Sequence, residues 1–216
     1  MKARAILFAC AAALTAAPAV AQTLKAPTAQ PAAGQYYLDP AHTSVVFKVN
    51  HLGFSNYTAR FSRVSGTLQF DPKHPQAMKV EAQIDPASLD LNTPPPGFHE
   101  QLMGAGWFEA AKFPKMTFRS RAVQLTGAHT AKVTGELTMH GVSKPVTLSV
   151  TYNGGYAPTA FDPGGRVGFS AHGSLKRSAF GVASGIPAPG STFGVGDVVD
   201  IAIETEFGGK PPPPAR

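Results

Sequence analysis

The feature that most constrains this chain is residues 132–152, KVTGELTMHGVSKPVTLSVTY. Val133, Leu137 and Met139 alternate with Lys132, Thr134, Glu136 and Thr138. After a short break, Val146, Leu148, Val150 and Tyr152 alternate with Thr147, Ser149 and Thr151. A period of two sends successive side chains to opposite faces of a pleated strand, so two antiparallel strands are expected, apolar on one face and wet on the other. Residues 140–145, HGVSKP, form the expected turn: Gly141 accepts positive φ and Pro145 has no N–H to give to a ladder. A chain with this hairpin at its centre is committed to a sheet with one buried face.

The same pattern recurs on both sides. Residues 44–52 place Val45, Phe47 and Val49 on one face. Residues 57–70 are long enough to bend, with Gly66 the expected bulge. Residues 78–85 set Met78, Val80, Ala82 and Ile84 against Lys79, Glu81, Gln83 and Asp85. A strand at 115–125 follows. Residues 166–176 set Val167, Phe169, Ala171 and Leu175 against Arg166, Ser170, His172, Ser174 and Lys176, and residues 198–207 set Val199, Ile201, Ile203 and Phe207 against Asp200, Glu204 and Glu206. With the hairpin this makes about eight antiparallel strands, which one domain closes into a barrel or stacks as a sandwich. An eight-stranded barrel is filled by its own side chains or is just wide enough for one small ligand. Ala82, Gly135, Ala171 and Gly173 fall on apolar faces where a filled core needs bulk, which favours a cavity. The one helical candidate is 97–111, GFHEQLMGAGWFEAA, with Phe98, Leu102, Trp107 and Phe108 on its apolar side and Gly104 and Gly106 weakening it. A short helix across one end of the sheet is expected.

The termini read differently. Residues 1–21 carry a basic start (Lys2, Arg4), an apolar run too short to span a bilayer, and the small-residue site Ala19-Val20-Ala21, the pattern of a secretory signal peptide. Residues 22–35 read as a flexible leader, 36–207 as one barrel domain, and 208–216, GGKPPPPAR, as a disordered proline-rich tail. The expected address is the periplasm, with the product secreted and soluble after cleavage. Cys10 is the only cysteine, so removal of the signal leaves no thiol for a disulfide, nucleophile or metal. Losing Lys2 and Arg4 lowers the formal charge from +6 to +4, and the remaining cations are scattered, unlike the clustered footprint of a nucleic-acid binder.

Side chains that carry chemistry are sparse. The seven histidines show no metal-ligand spacing, and His99-Glu100-Gln101-Leu102-Met103 begins like a zinc-protease helix but lacks the second His. Ser170 and His172 share a strand face with no acid or nucleophile turn beside them. No catalytic residue, metal or cofactor is therefore expected. Phe47, Val49, Phe118, Leu148, Phe169 and Ile203 are the candidate cavity lining, or ordinary core, and Trp107 and Phe108 the candidate lid. His51, at the end of its strand, and His140, in the central turn, either hold a polar headgroup at the barrel mouth or bond to backbone. Arg177, beside the aromatic–glycine turn Phe180-Gly181, suits a phosphate or carboxylate, or an ion pair that closes one barrel end.

LTMHGVSKPVTL (137–148) resembles the central signature of the YceI-like family, and other stretches resemble it in order: HTSVVFKVNHLGFS (42–55) with RFSRVSGTLQFDP, GWFEAAKFPKMTFRS (106–120), KRSAFG (176–181) and GDVVDIAIETEF (196–207). Gln101 stands where the family often has a His, with His99 two places earlier, and Ala179 where it often has an acid. The resemblance implies a lipocalin-like barrel in the periplasm that binds a polyisoprenoid or similar long-chain lipid, without inserting in the membrane. A homodimer stays open as an assembly. A barrel-scaffold enzyme acting on a lipid-like substrate is the alternative; an outer-membrane barrel is disfavoured by the charged face of most strands and by the proline tail.

Overall fold

A computed structural model describes residues 29–212; the expected signal peptide and most of the leader lie outside the described residues. The strands are β1 (Gly34–Leu38), β2 (Ser44–His51), β3 (Ser55–Phe61), β4 (Val64–Phe70), β5 (Lys79–Ile84), β6 (Leu89–Asp90), β7 (Met116–Leu125), β8 (Thr130–Met139), β9 (Val142–Tyr156), β10 (Arg166–Lys176) and β11 (Val195–Gly208). All pairings are antiparallel. Six of the strands are halves of three longer paths: β1 leads into β2, β3 into β4 and β5 into β6 across short breaks. The result is an eight-stranded antiparallel barrel, closed where β11 pairs with the first path. The C-terminal end of β11 meets β1 (Leu38↔Phe207) and the rest of it meets β2 (Ser44↔Glu204 to His51↔Val195).

The breaks have a chemical cause. Asp39-Pro40-Ala41 and Asp85-Pro86-Ala87 each start a 3-10 turn in which the Asp side chain accepts the N–H of the Ala, at 2.9 and 2.8 Å, while proline fixes φ for the first turn residue. Between these corners the β3–β4 path bends at Ser62-Arg63, tied to its neighbour by Ser62 N–H to Ser88 O and Asp85 N–H to Arg63 O, both 3.1 Å. The bend therefore does not fall at Gly66, where the sequence placed a bulge. Gly66 stays in register opposite Ala82, where a Cβ would lie 2.6 Å from Glu81 O.

Other expectations shift in detail. The central turn is only His140-Gly141, both at positive φ (51° and 74°), the two-residue form whose twist matches the strands. Pro145 lies within β9 opposite Glu136. Its missing N–H is tolerated because β10 pairs with β9 only as far as Ser149. The leader is shorter than expected: Pro31 is fully buried and β1 starts at Gly34. The helix α1 is only Phe98–Met103, stopped at Gly104; the rest of 97–111 is turns that still carry Trp107 and Phe108 onto the barrel end.

The core is split between the two ends. At one, which we call the upper end, Phe61, Leu89, Leu102, Met116, Met139, Val146, Phe180 and Val182 pack together. At the lower end Tyr36, Leu38, Leu68, Phe70, Val167 and Phe207 do so, and the rings of Tyr36, Phe70, Tyr152, Phe169 and Phe207 touch in succession at 5.3–6.2 Å between centroids.

The lower end is also tied by Arg166, whose guanidinium bonds Asp39 and Glu206 at 2.7 Å each and Asp162 at 3.3 Å. Burial opposes the charges of Asp39 and Asp162, but hydrogen bonds outweigh it: from Arg166, His42 and Ala41 at Asp39, and from Tyr156, Gly164 and Arg166 at Asp162. Both carboxyls are held below the usual range. A depressed folded-state pKa adds stability that is present above the unfolded value of about 4 and is lost as pH falls through the folded value. Melting temperature measured against pH is therefore expected to drop steeply below about pH 4. Arg166→Met, which leaves three carboxylates without their cation, is expected to destabilise the protein at pH 7 by about 1–3 kcal/mol and to flatten that acid dependence.

Candidate functional site

Between the two end clusters the barrel interior holds a cavity of about 1020 Å3. That is at or above the top of the usual range for small-molecule pockets, about 300–1,000 Å3. Inward positions of the strands line it: Phe47 and Val49 from β2, Val80 and Ala82 from β5, Phe118 from β7, Leu148 and Val150 from β9, Phe169 and Ala171 from β10, Ile201 and Ile203 from β11. One interior belongs to all these strands because the period of two is in phase around the whole ring.

Small residues act in two ways. Ala82 and Ala171 leave open space. Gly135 and Gly173 instead make room for neighbours: a Cβ at Gly135 would run into the Phe118 ring, and one at Gly173 would sit 2.8 Å from Leu148 Cδ2. Two of the four small positions thus lie under a large side chain from the adjacent strand.

Of the residues that the sequence points to, Phe47, Val49, His51, Trp107, Phe108, Phe118, Leu148, Phe169, Arg177 and Ile203 all border the cavity. His140 and Phe180 do not. His140 Nδ1 lies 3.2 Å from Phe180 O and its ring packs against Phe113; Nε2 is buried 3.3 Å from Glu109 Oε2 but is not aligned for a hydrogen bond. Phe180 is buried in the upper cluster. His51 is exposed where the cavity opens, beside Asn92, Thr93, Pro94 and Pro95. Trp107 and Phe108 cover the same end, Phe108 edge-on to Phe61 at 5.8 Å.

Arg177 is only 5% exposed. Its Nε–H donates to Gly196 O at 2.9 Å, Nη1 to Val182 O and Ser184 O at 2.9 and 2.8 Å, and Nη2 to Val195 O at 2.8 Å. Four of its five N–H groups are committed to backbone, and Trp107 lies over the guanidinium at 5.3 Å. Burial pushes its pKa down, partly offset by Asp197, yet an arginine stays charged. The fixed fork thus knits residues 182–196 into a wall and gives the lid tryptophan a surface to rest on. Neither headgroup donor nor ion pair, the two roles expected from the sequence, describes this backbone clamp, because carbonyl partners leave no mark in a residue pattern.

Several lining residues carry no separate signal in the sequence. Tyr57, Phe61 and Phe70 lie on the path whose bend falls away from Gly66, and Gln30 lies in the expected leader. His129, in the β7–β8 turn, and Thr130, at the start of β8, come from the lower end. Among the described residues no Asp or Glu lines the cavity, and no group of three His, Cys, Asp or Glu is placed to hold a metal. Ser170 faces outward, bonded to Glu204 and Asn153 on the exposed side. The arrangement offers an apolar volume with hydrogen-bonding groups at its openings and no acid–base pair inside.

Arg177→Lys keeps the charge but cannot reach four carbonyls. It is expected to destabilise the protein by about 2–4 kcal/mol, and Arg177→Met by at least as much, read as a fall in the denaturant midpoint. A variant as stable as the wild type would show that the 182–196 wall holds without the clamp.

The YceI-like domain model matches residues 36–207. A UPF0312 protein of Pseudomonas savastanoi pv. phaseolicola is 37% identical over 179 residues, which cover 81% of this chain and 88% of that protein. Among solved structures, Burkholderia cenocepacia BcnA superposes with a TM-score of 0.66 at 29% identity, over 78% of this chain and 98% of its own. The YCEI protein of Campylobacter jejuni does so with 0.60 at 30%, over 74% and 89%. A polyisoprenoid-binding domain from Saccharophagus degradans, at 16% identity and a TM-score of 0.57 over 80% and 97%, shares the fold. The match of barrel, motif order and length establishes that this chain belongs to the YceI-like family.

Proposed function

We propose that this protein binds one long-chain amphiphile, an isoprenoid or a lipid of similar shape, inside the barrel and carries it without chemical change. The observation that carries this reading is the cavity of about 1020 Å3, walled by apolar side chains from every part of the ring, with no carboxylate among the described residues that line it. A buried chain gains roughly 0.8 kcal/mol for each methylene-sized unit, so a long apolar tail supplies affinity without polar help. The polar groups at the ends, His51 and Asn92 above and His129 and Thr130 below, are where a headgroup meets protein and water. The solved domain named for polyisoprenoid binding shares this barrel, which supports the shape of the argument. The enzyme alternative gains no support from a cavity that presents neither a nucleophile–base pair nor paired carboxylates. The pattern of residues 1–21 supports export to the periplasm as the setting.

Native mass spectrometry of the protein purified from its own cells without detergent is expected to show one lipid per chain. Ala171→Phe and Ala82→Phe each place a ring in the open part of the cavity. Each is expected to weaken loading by about tenfold or more while the circular-dichroism spectrum stays that of the folded barrel. Unchanged loading in both variants, or a lipid-free wild type that takes up no polyprenol or quinone, would overturn the proposal.

A further inference from the structure

The upper rim is built from segments that avoid charge. Residues 49–58, 91–97 and 183–196 contain no Asp, Glu, Lys or Arg, in a chain that is 15% charged. The structure brings them together. Asn92 bonds Tyr57 Oη and Thr58 O, both at 3.1 Å, Leu52 N–H donates to Gly194 O at 2.8 Å, and His51, Pro94, Pro95 and Val195 border one cavity. Of the flanking charges, Asp197 accepts the N–H and hydroxyl of Ser178 and Asp90 pairs with Arg60, while Lys48 and Glu100 are exposed just outside the segments.

Two phenylalanines stand out of this rim, Phe54 at 87% and Phe193 at 82% exposure. The loops that carry them lie together, because Gly53 packs against Thr192 and Leu52 is bonded to Gly194. Neither loop is loose. Phe54 N–H donates to His51 O at 3.0 Å, Gly53 N–H to Asn50 Oδ1 at 2.9 Å and Phe193 N–H to Ser191 Oγ at 3.0 Å. Backbone and side-chain bonds thus hold two large apolar rings in water, close in sequence to His51 and Val195 at the cavity. The lower end is the opposite: it carries the Arg166–Asp39–Asp162–Glu206 cluster and the Asp71–His74 pair.

We propose that this rim is a docking face for a lipid bilayer, with Phe54 and Phe193 entering the boundary between headgroups and acyl chains so that the cavity opens onto the membrane. The proposal rests on the lipid-carrier reading above and adds where the cargo is collected. A surface without formal charge loses no ion hydration when it meets the boundary, and aromatic rings favour that depth. The three segments carry no cation, which also sets the kind of surface: binding is driven by apolar contact and not by anionic lipid. A protein partner held by ion pairs has nothing to grip here.

Flotation of the full-length secreted protein with phosphatidylcholine vesicles, with and without phosphatidylglycerol, tests this. The wild type is expected to float with both, with less than about a twofold change between low and high salt. F54S/F193S is expected to bind about tenfold more weakly or worse, while F161S, which alters an equally exposed phenylalanine (98%) at the lower end, is unchanged. The double variant should load polyprenol from detergent as the wild type does but take it up more slowly from donor vesicles. In F54W the indole emission should shift to the blue on vesicles and be quenched by brominated lipid.

Equal binding by wild type and F54S/F193S, binding released by salt, or a wild type that loads from detergent but ignores vesicles would overturn the docking face and leave the carrier reading standing. Self-association of the wild type abolished in F54S/F193S would overturn it in favour of a contact between copies. Vesicle binding through the two phenylalanines with no polyprenol loading from either source would support the docking face and overturn the carrier reading.

Discussion

Everything in this protein depends on the sheet closing on itself through β11. A void charged at the rate seen for engineered core cavities, about 24 cal/mol per Å3, would at this size outweigh the whole stability of an ordinary domain, about 5–15 kcal/mol. The middle of the barrel therefore cannot be held by interior packing. It is held by the ladder, which closes around the ring and leaves only short unpaired stretches, such as residues 142–148 of β9 beyond the end of its pairing with β10. β11 is the closing strand, and its length matters: it reaches β1 with its last residues and β2 with the rest, so one strand bridges the bend in the first path.

The bends let a closed ladder fit around its contents. Two Asp-Pro-Ala corners and the Ser62-Arg63 break fall on three neighbouring paths; backbone bonds and the Arg63–Asp85 pair tie the break to the second corner, and Asp39 N–H ties the first to Glu206 O of β11. The cavity runs past the bends in both directions, bordered below by the aromatic cluster of Phe70, Tyr152, Phe169 and Phe207 and above by Phe61, Leu102 and Met139. Glycines tune the wall in the same spirit: Gly135 and Gly173 give up their side chains so that Phe118 and Leu148 lie flat instead of filling the void.

The two ends are stabilised by different physics. The lower end uses charge, with one arginine shared by three carboxylates. The upper end uses a buried arginine with no carboxylate in hydrogen-bond contact, its N–H groups turned to carbonyls and its face to Trp107. Satisfying a cation with backbone ties the cavity's upper wall together and brings no carboxylate into it. The apolar cavity and the uncharged segments of the upper rim are the two features on which the proposals above rest.

The residues themselves determined eight strand paths and which face of each turns inward, because a period of two survives any tertiary context that buries one face, while the short strands β1 and β6 carry too few residues to show a period. That is why Phe47, Phe118, Leu148, Phe169 and Ile203 are legible as inward residues from the pattern alone, and why the order of the motifs suffices for the family. What only the tertiary structure decided are the contacts between segments far apart in sequence. The bend fell at Ser62-Arg63 and not Gly66 because the neighbouring Asp85 corner bonds there. His140 was turned from the mouth to the Phe180 carbonyl by a two-residue turn. Arg177 became a clamp because four carbonyls from residues 182–196 converge on it. The loops of Phe54 and Phe193 came together only when Leu52 met Gly194. Period and composition report what each residue prefers; they do not report which distant backbone atom arrives to meet it.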